Sequence, residues 1–169
     1  MDDKEVSASP TQKFKRDLIE LLPQLRAFAR SMCGRADLAD DLAQETALKA
    51  WAARDSFSPG TSMRAWTFTI LRNQFLSLMR RDRRKVDYEQ IDAERLLIVK
   101  PGQDDHLQLA DVEACLQKMS PELREAILLV GAGGFTYEEA ANICDCPLGT
   151  MKSRVSRART QLTEYFETA

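Results

Sequence analysis

Residues 134–166, GFTYEEAANICDCPLGTMKSRVSRARTQLTEYF, constrain the fold more than any other stretch: they read as two helices joined by a tight, proline-bearing turn. Thr136 is placed to N-cap the first helix, and Glu139, three residues on, completes a reciprocal T-x-x-E capping box. Ala140, Ala141 and Ile143 offer small apolar contacts. Asp145-Cys146-Pro147 stops the helix, because proline disfavours the helical region in the residue before it. The second helix starts near Leu148 to Thr150 and is predicted to bury Met151, Val155, Ala158 and Leu162, spaced by four, three and four. Lys152, Ser153, Ser156, Arg157 and Arg159 fall on its other faces, with Arg154 at one flank. An ordinary helical hairpin with a solvated basic face would share this pattern. The capping box, the short turn and the Lys/Arg/Ser-rich helix together favour a helix-turn-helix whose second helix suits the major groove.

A DNA-binding reading sits awkwardly with a net charge of −2 over 169 residues until that charge is divided along the chain. Residues 1–84 hold 15 Lys/Arg against 11 Asp/Glu, residues 85–110 hold 3 against 6, and residues 111–169 hold 6 against 9. The balances of +4, −3 and −3 show basic strips diluted by acidic surroundings. Such a protein is expected to bind duplex DNA poorly alone and to lean on a larger partner. Four cysteines (Cys33, Cys115, Cys144, Cys146) make no disulfide framework in a chain of this size. The acidic start MDDKEV leads into no apolar h-region, and no apolar run is long enough to span a bilayer, so a cytoplasmic protein with reduced thiols and no membrane partner is expected. Cys144-x-Cys146 is too close for a usual zinc pair and the lone His106 lies far from it, so no metal or cofactor is expected.

Apolar spacing elsewhere is helical throughout and no strand pattern appears. Residues 1–12 read as a disordered lead. From Phe14 to Met32 a helical run is interrupted at Pro23, which predicts a kink or two helices meeting there, and Gly34 closes it. A second helix is expected from about Asp37 to Arg54, with Asp40, Asp41, Gln44 and Glu45 as an acidic, polar strip; acid near a helix start also suits the dipole. Asp55 to Ser62 is a loop by composition. A long helix follows from about Met63 to Arg83. It has an apolar face of Trp66, Ile70, Leu71, Phe75 and Leu78, and a polar remainder of Arg64, Arg72, Asn73, Arg80, Arg81, Arg83 and Arg84. Its RRDRR end is a phosphate-binding strip or a complement to the helix dipole, and Asn73 can both donate to and accept from a base edge. Residues 85–106 lose periodicity, turn acidic and read as a linker. Beyond it come a helix with Leu109, Val112, Leu116 and Met119, then Ser120-Pro121-Glu122 as an N-cap, an N1 proline and a first-turn acid. The expected fold is all-α. A first domain over 13–84 is joined by the linker to a second, four-helix domain over 107–169 that ends in the helix-turn-helix.

From about Phe14 to Phe166 the chain resembles the extracytoplasmic-function (ECF) class of bacterial RNA polymerase sigma factors. The resemblance is carried by DLADDLAQETALKAW at 37–51, SMRAWTFTILRNQFLSLMRR at 62–81 and GFTYEEAANICDCPLGTMKSRVSRAR at 134–159. LLPQLRAFARSMCG, TILRNQF and LLVGAGGFTYEEAA are similar to the alphaproteobacterial general-stress-response subgroup. The resemblance implies that Asp41, Gln44 and Glu45 meet core RNA polymerase. It sets Arg64, Trp66, Arg72, Asn73, Arg80, Arg81 and Arg84 against the single-stranded −10 element, with Ser56 to Met63 walling a pocket for a flipped base. Trp66 could stack on that strand, but a Trp at helical spacing is more often a core residue. Lys152, Ser153 and Arg157 would read the −35 duplex, with Arg154 and Arg159 on phosphates. The implied function is an alternative sigma factor that directs promoter-specific initiation of stress-response genes, with an anti-sigma factor as a further partner.

Two rival readings keep the fold. A sigma-mimicking module would bind an anti-sigma factor without touching DNA, yet both basic strips are present. A conventional helix-turn-helix repressor leaves residues 37–84 unexplained. Nothing suggests an enzyme or a small-molecule substrate: there is one histidine, no Ser/His/Asp set, and the glycines at 131–134 lack the Lys-Ser/Thr of a phosphate loop.

Overall fold

The computed structural model describes residues 9–86 and 105–168, and those residues form seven α-helices with no strand among them. Helix α1 (Pro10–Cys33) starts earlier than its apolar run suggests. Ser9 and Gln12 form a reciprocal capping box, and Pro10 occupies the first helical position, where its missing N–H costs nothing. Residues 10–12 therefore belong to the helix and not to a disordered lead. Pro23 does not divide α1, which runs on as a single element. A mid-helix proline costs about 3 kcal/mol. Burial of Leu18, Leu25, Phe28, Ala29 and Met32 on either side outweighs it, at about 1.5–3 kcal/mol for each large side chain. Pro23 itself is exposed, so the freed carbonyl can face water.

After Gly34, whose φ of 69° makes the left-handed cap, α2 (Ala36–Ala52) folds back along α1. The Arg26–Asp40 pair (3.6 Å) at one end and the Phe14–Trp51 ring contact at the other set the register of this hairpin. A 3₁₀ turn at Arg54–Ser56 leads through a loop to α3 (Met63–Val86), which packs across both helices. The second domain comprises α4 (Asp105–Lys118), α5 (Pro121–Ile127), α6 (Tyr137–Ile143) and α7 (Leu148–Thr168). Most of the expected linker, and the side chains of Arg84, His106 and Leu109, lie outside the described residues.

The second domain follows its capping chemistry closely. Ser120 caps α5 ahead of Pro121, and the Thr136–Glu139 capping box starts α6, with 2.9 and 3.1 Å hydrogen bonds. The turn into α7 contains a feature that proline alone does not announce: Asp145 adopts a φ of 48°, a left-handed conformation that Asp tolerates better than most residues. Met151, Val155 and Ala158 are fully buried and Leu162 is half-buried. Between α5 and α6, Leu128–Ala132 forms a π-turn rather than a simple glycine stop.

The two domains close on each other through one continuous apolar core, which includes Phe28, Met32 and Phe68 of the first domain and Leu116, Met119 and Phe135 of the second. Phe68 and Phe135 meet edge to face at 5.0 Å. Arg124, 8% exposed, threads this seam. Its guanidinium donates to the carbonyls of Leu116 (2.6 Å), Gln117 (2.9 Å) and Met119 (3.2 Å) at the end of α4, and to that of Met32 at the end of α1. Gln117 accepts from Arg124 (2.8 Å) and donates to Ser31 O (3.0 Å). The last carbonyls of a helix have no partners within it, so one buried cation satisfies the ends of two helices from different domains. Arg124→Ala strands those carbonyls, and a buried unsatisfied polar group costs about 1–3 kcal/mol. A loss of about 3 kcal/mol or more is expected in urea unfolding. Arg124→Lys should not restore it, since an ammonium cannot reproduce the planar fork.

Candidate nucleic-acid interface and the seam that covers it

Helix α2 presents Asp41, Gln44 and Glu45 as exposed side chains on adjoining positions, followed by Leu48, which is 70% exposed. Glu45 pairs with Lys49 at 2.9 Å. Beneath them the buried Gln74 of α3 reaches across: with its amide nitrogen toward Glu45 it donates to the carboxylate at 3.2 Å and accepts from Thr46 Oγ1 at 2.9 Å. Asp41 and Glu45 share a groove with Arg80 and Arg81 of α3. The acidic strip of α2 and the basic end of α3 are thus adjacent surfaces, which the linear sequence does not reveal.

The sequence-predicted residues of α3 divide into two sets. Asn73, Arg80 and Arg81 are exposed. Trp66 is half-buried in an aromatic cluster, 5.3 Å from Phe57 and 6.2 Å from Phe14. Phe14 and Phe57 line a cleft of about 390 Å³ between the first turns of α1 and the Ser56 to Met63 loop, with Lys13, Asp17, Arg54 and Thr61 at its polar positions. The Ser56 to Met63 loop, which the resemblance implies as a pocket wall, borders this cleft; its other wall, on α1, includes residues 10–12 that read from sequence as part of the N-terminal lead.

Arg64 and Arg72 are engaged by the second domain. Arg64 donates to Gln24 Oε1 (2.8 Å) and to the carbonyl of Gly133, and its guanidinium lies 4.1 Å from the Phe135 ring centroid. The π-turn makes this geometry: Gly133 N–H bonds Leu128 O and Phe135 N–H bonds Leu129 O, which turns the Gly133 carbonyl and the Phe135 ring toward α3. Only glycine fits there, since a Cβ on residue 133 would stand 2.6 Å from Leu129 O. Arg72 donates from Nε to Glu125 at 2.8 Å, and the pair is shielded, with side-chain exposures of 16% and 6%. Burial pushes the Glu125 carboxyl above its usual range. The charge of Arg72, the Cys144 thiol hydrogen bond and a weaker attraction from Arg154 pull it back. The sequence pattern does not single out Arg124, Glu125 and Phe135, because the partners that give each its role lie in the first domain.

On α7, Lys152, Arg157 and Arg159 are exposed, while Ser153 and Arg154 are half-buried and Ser153 Oγ donates to Thr150 O at 2.9 Å. Burial also raises the thiol pKa of Cys33, Cys115 and Cys144, most strongly for Cys144, where the charge of Glu125 adds to the effect. These thiols stay protonated at neutral pH, which disfavours a reactive-thiolate role. Among the described residues no cluster of His, Cys, Asp or Glu could hold a metal ion, and no helix is long and apolar enough to cross a membrane.

An acidic strip on one small helical domain, a basic helix beside it and a helix-turn-helix in the next domain define a two-domain transcription factor of the sigma-70 type. Residues 18–85 match the Sigma-70 region 2 family, and residues 109–162 match Sigma-70, region 4. The chain is 50% identical over 153 residues to the ECF RNA polymerase sigma factor EcfG of Rhodopseudomonas palustris (strain TIE-1), covering 90% of this chain and 84% of that protein. Among solved structures it is similar to the sigma factor RpoE in complex with the anti-sigma factor NepR from Bartonella quintana, with 48% identity and a TM-score of 0.84 over 92% of this chain and 97% of that one. It is also similar to CnrH in complex with the cytosolic domain of CnrY, with 27% identity and a TM-score of 0.72 over 95% and 91%. The chain belongs to the ECF RNA polymerase sigma factors, which direct promoter-specific initiation of transcription.

The tight packing at the π-turn gives a paired expectation. Gly133→Ala must displace backbone and should cost about 1–3 kcal/mol, as overpacking does. Gly149→Ala, in open space within α7, should stabilise by up to about 1 kcal/mol through helix propensity. Thermal unfolding of the two variants in parallel checks both signs.

Proposed function

We propose that the first domain docks on core polymerase through Asp41, Gln44 and Glu45. In this reading Arg64, Arg72, Asn73, Arg80, Arg81 and Arg84 bind the −10 strand, while the second domain reads the −35 duplex through Lys152, Ser153 and Arg157, with Arg154 and Arg159 on phosphates. The observation that carries this reading is the segregation of charge on exposed surfaces. Carboxylates project from α2, arginines from the far end of α3, and Lys152, Arg157 and Arg159 are exposed on faces of α7 outside its buried Met151–Val155–Ala158 stripe. The cleft beside the Ser56 to Met63 loop is of ligand-pocket size and has aromatic walls. It suits a flipped base, whose unstacking costs a few kcal/mol that stacking and hydrogen bonds must return. Trp66, packed in the aromatic cluster behind that cleft, supports it rather than stacking on DNA itself.

The protein acts in the cytoplasm and performs no bond chemistry of its own; polymerase does the synthesis. Its relatives' complexes with NepR and CnrY support an anti-sigma partner, and the 50% identity to EcfG supports control of stress-response genes. The sigma-mimic and repressor readings find no comparable support.

Run-off transcription with purified core polymerase on a library randomised at −10 and −35 tests the assignment. Arg157→Ala should relax preference at one −35 position, a bidentate arginine–guanine contact being worth about 1–3 kcal/mol of discrimination. Arg159→Ala should weaken all promoters alike and flatten the salt dependence. Asp41→Arg should cut competition for core polymerase while leaving the fold intact. Unchanged base preference in Arg157→Ala would show that another face of α7 enters the groove.

A further inference from the structure

Among the docking side chains of α2, Glu45 is held from beneath by α3. Gln74 is buried between the two helices, and its amide stands 3.2 and 3.3 Å from the carboxylate oxygens of Glu45. On its other side it meets the Oγ1 and backbone N of Thr46 at 2.9 and 3.1 Å. One orientation of the amide suits both neighbours. With nitrogen toward Glu45 it donates to the carboxylate while its oxygen accepts from Thr46; reversed, its carbonyl oxygen would face the carboxylate. Thr46, also buried, has a single hydroxyl proton, which can equally go to Leu42 O at 2.7 Å within α2 itself. Thr46 therefore does not require Gln74. A buried amide is costly to desolvate, and an apolar side chain of the same length would fill this space without that cost. What the amide alone supplies is a donor fixed under Glu45.

We propose that Gln74 is a positioning residue for polymerase docking: from α3 it holds the Glu45 carboxylate in the orientation that polymerase meets. An exposed glutamate loses rotamer freedom when a partner immobilises it, and that loss is subtracted from affinity. The ion pair with Lys49 does not remove the loss, because both of its side chains are more than half exposed and pairs of that kind hold weakly. Gln74 does remove it, because its own side chain is enclosed and its amide is anchored by Thr46. The outward face of the carboxylate stays open to a partner cation. Gln74 also adjoins the exposed Asn73, so the docking carboxylate and the proposed −10 amide are set by the same helix.

This inference rests on the assignment of Glu45 to polymerase docking. Its test measures the affinity of the full chain for core polymerase, by competition with a fluorescein-labelled wild-type chain, in a double-mutant cycle of Gln74→Met and Glu45→Ala. Methionine matches glutamine in length and has no donor, and Thr46 then keeps its proton on Leu42 O. Gln74→Met should weaken docking about two- to tenfold, the range that one pre-ordered side chain is worth. In the Glu45→Ala background the same substitution should change nothing, because no carboxylate remains to be placed. A role confined to packing α2 on α3 would lower affinity by one factor in both backgrounds. That result overturns the proposal, and so does full affinity in Gln74→Met alone. Gln74→Leu repeats the cycle should thermal unfolding show that Gln74→Met folds poorly. Wild-type affinity in Glu45→Ala sinks the docking assignment beneath; a weakened Glu45→Ala with either overturning result above sinks the positioning role alone.

Discussion

A single buried guanidinium sets the terms for this molecule. Arg124 sits where α1 and α4 both end, and their unpaired carbonyls converge on it from two domains. A helix C-terminus is electronegative as well as short of donors, so a fixed cation is the natural partner for each. No apolar residue could fill this position, because the carbonyls would still need hydrogen bonds. Once Arg124 is committed, α5 is fixed in rotation. Glu125, the next residue, is then turned toward α3 and Arg72, and the π-turn that follows aims Gly133 and Phe135 at Arg64. The geometry of the seam thus propagates from one side chain along the chain from Arg124 to Phe135.

The second recurring device is the amphipathic helix used on both faces. Helix α7 buries Met151, Val155 and Ala158 completely, which leaves Lys152, Arg157 and Arg159 no direction but outward. Helix α3 does the same with Phe68, Leu71 and Phe75, but its remaining surface is shared between solvent and the second domain. That difference explains why exposed arginines on α7 are free in the closed form while Arg64 and Arg72 on α3 are not. The proposed −35 surface is therefore exposed, while two arginines of the proposed −10 surface are engaged by the second domain.

Local rules made much of this legible from sequence. The capping boxes at Thr136 and the N-cap at Ser120 appear where their residue patterns place them, and the buried stripe of α7 follows its four-three-four spacing. Family resemblance supplied what spacing could not, namely that 37–51 and 62–81 belong with the helix-turn-helix. The failures share one cause. Pro23 was read by its local cost, yet the packing of α1 on both sides overrides that cost. Arg124 and Glu125 carry no local signal, since each has a partner some 50 to 90 residues away in sequence. Tertiary contact decides such positions, and a single sequence carries no local trace of it.

Net charge gains a structural meaning in this setting. A chain that is acidic overall and spends two of its arginines on an internal carboxylate and a backbone carbonyl has little electrostatic attraction to DNA at long range. Non-specific affinity grows with the number of phosphates neutralised, so withholding cations suppresses unproductive binding along the genome. The acidic strip of α2, the surface proposed to meet polymerase, is left uncovered by the seam. Docking and closure involve different faces of the same small domain. The surface proposed to dock polymerase is therefore accessible in this structure, whereas Arg64 and Arg72 are engaged by the second domain.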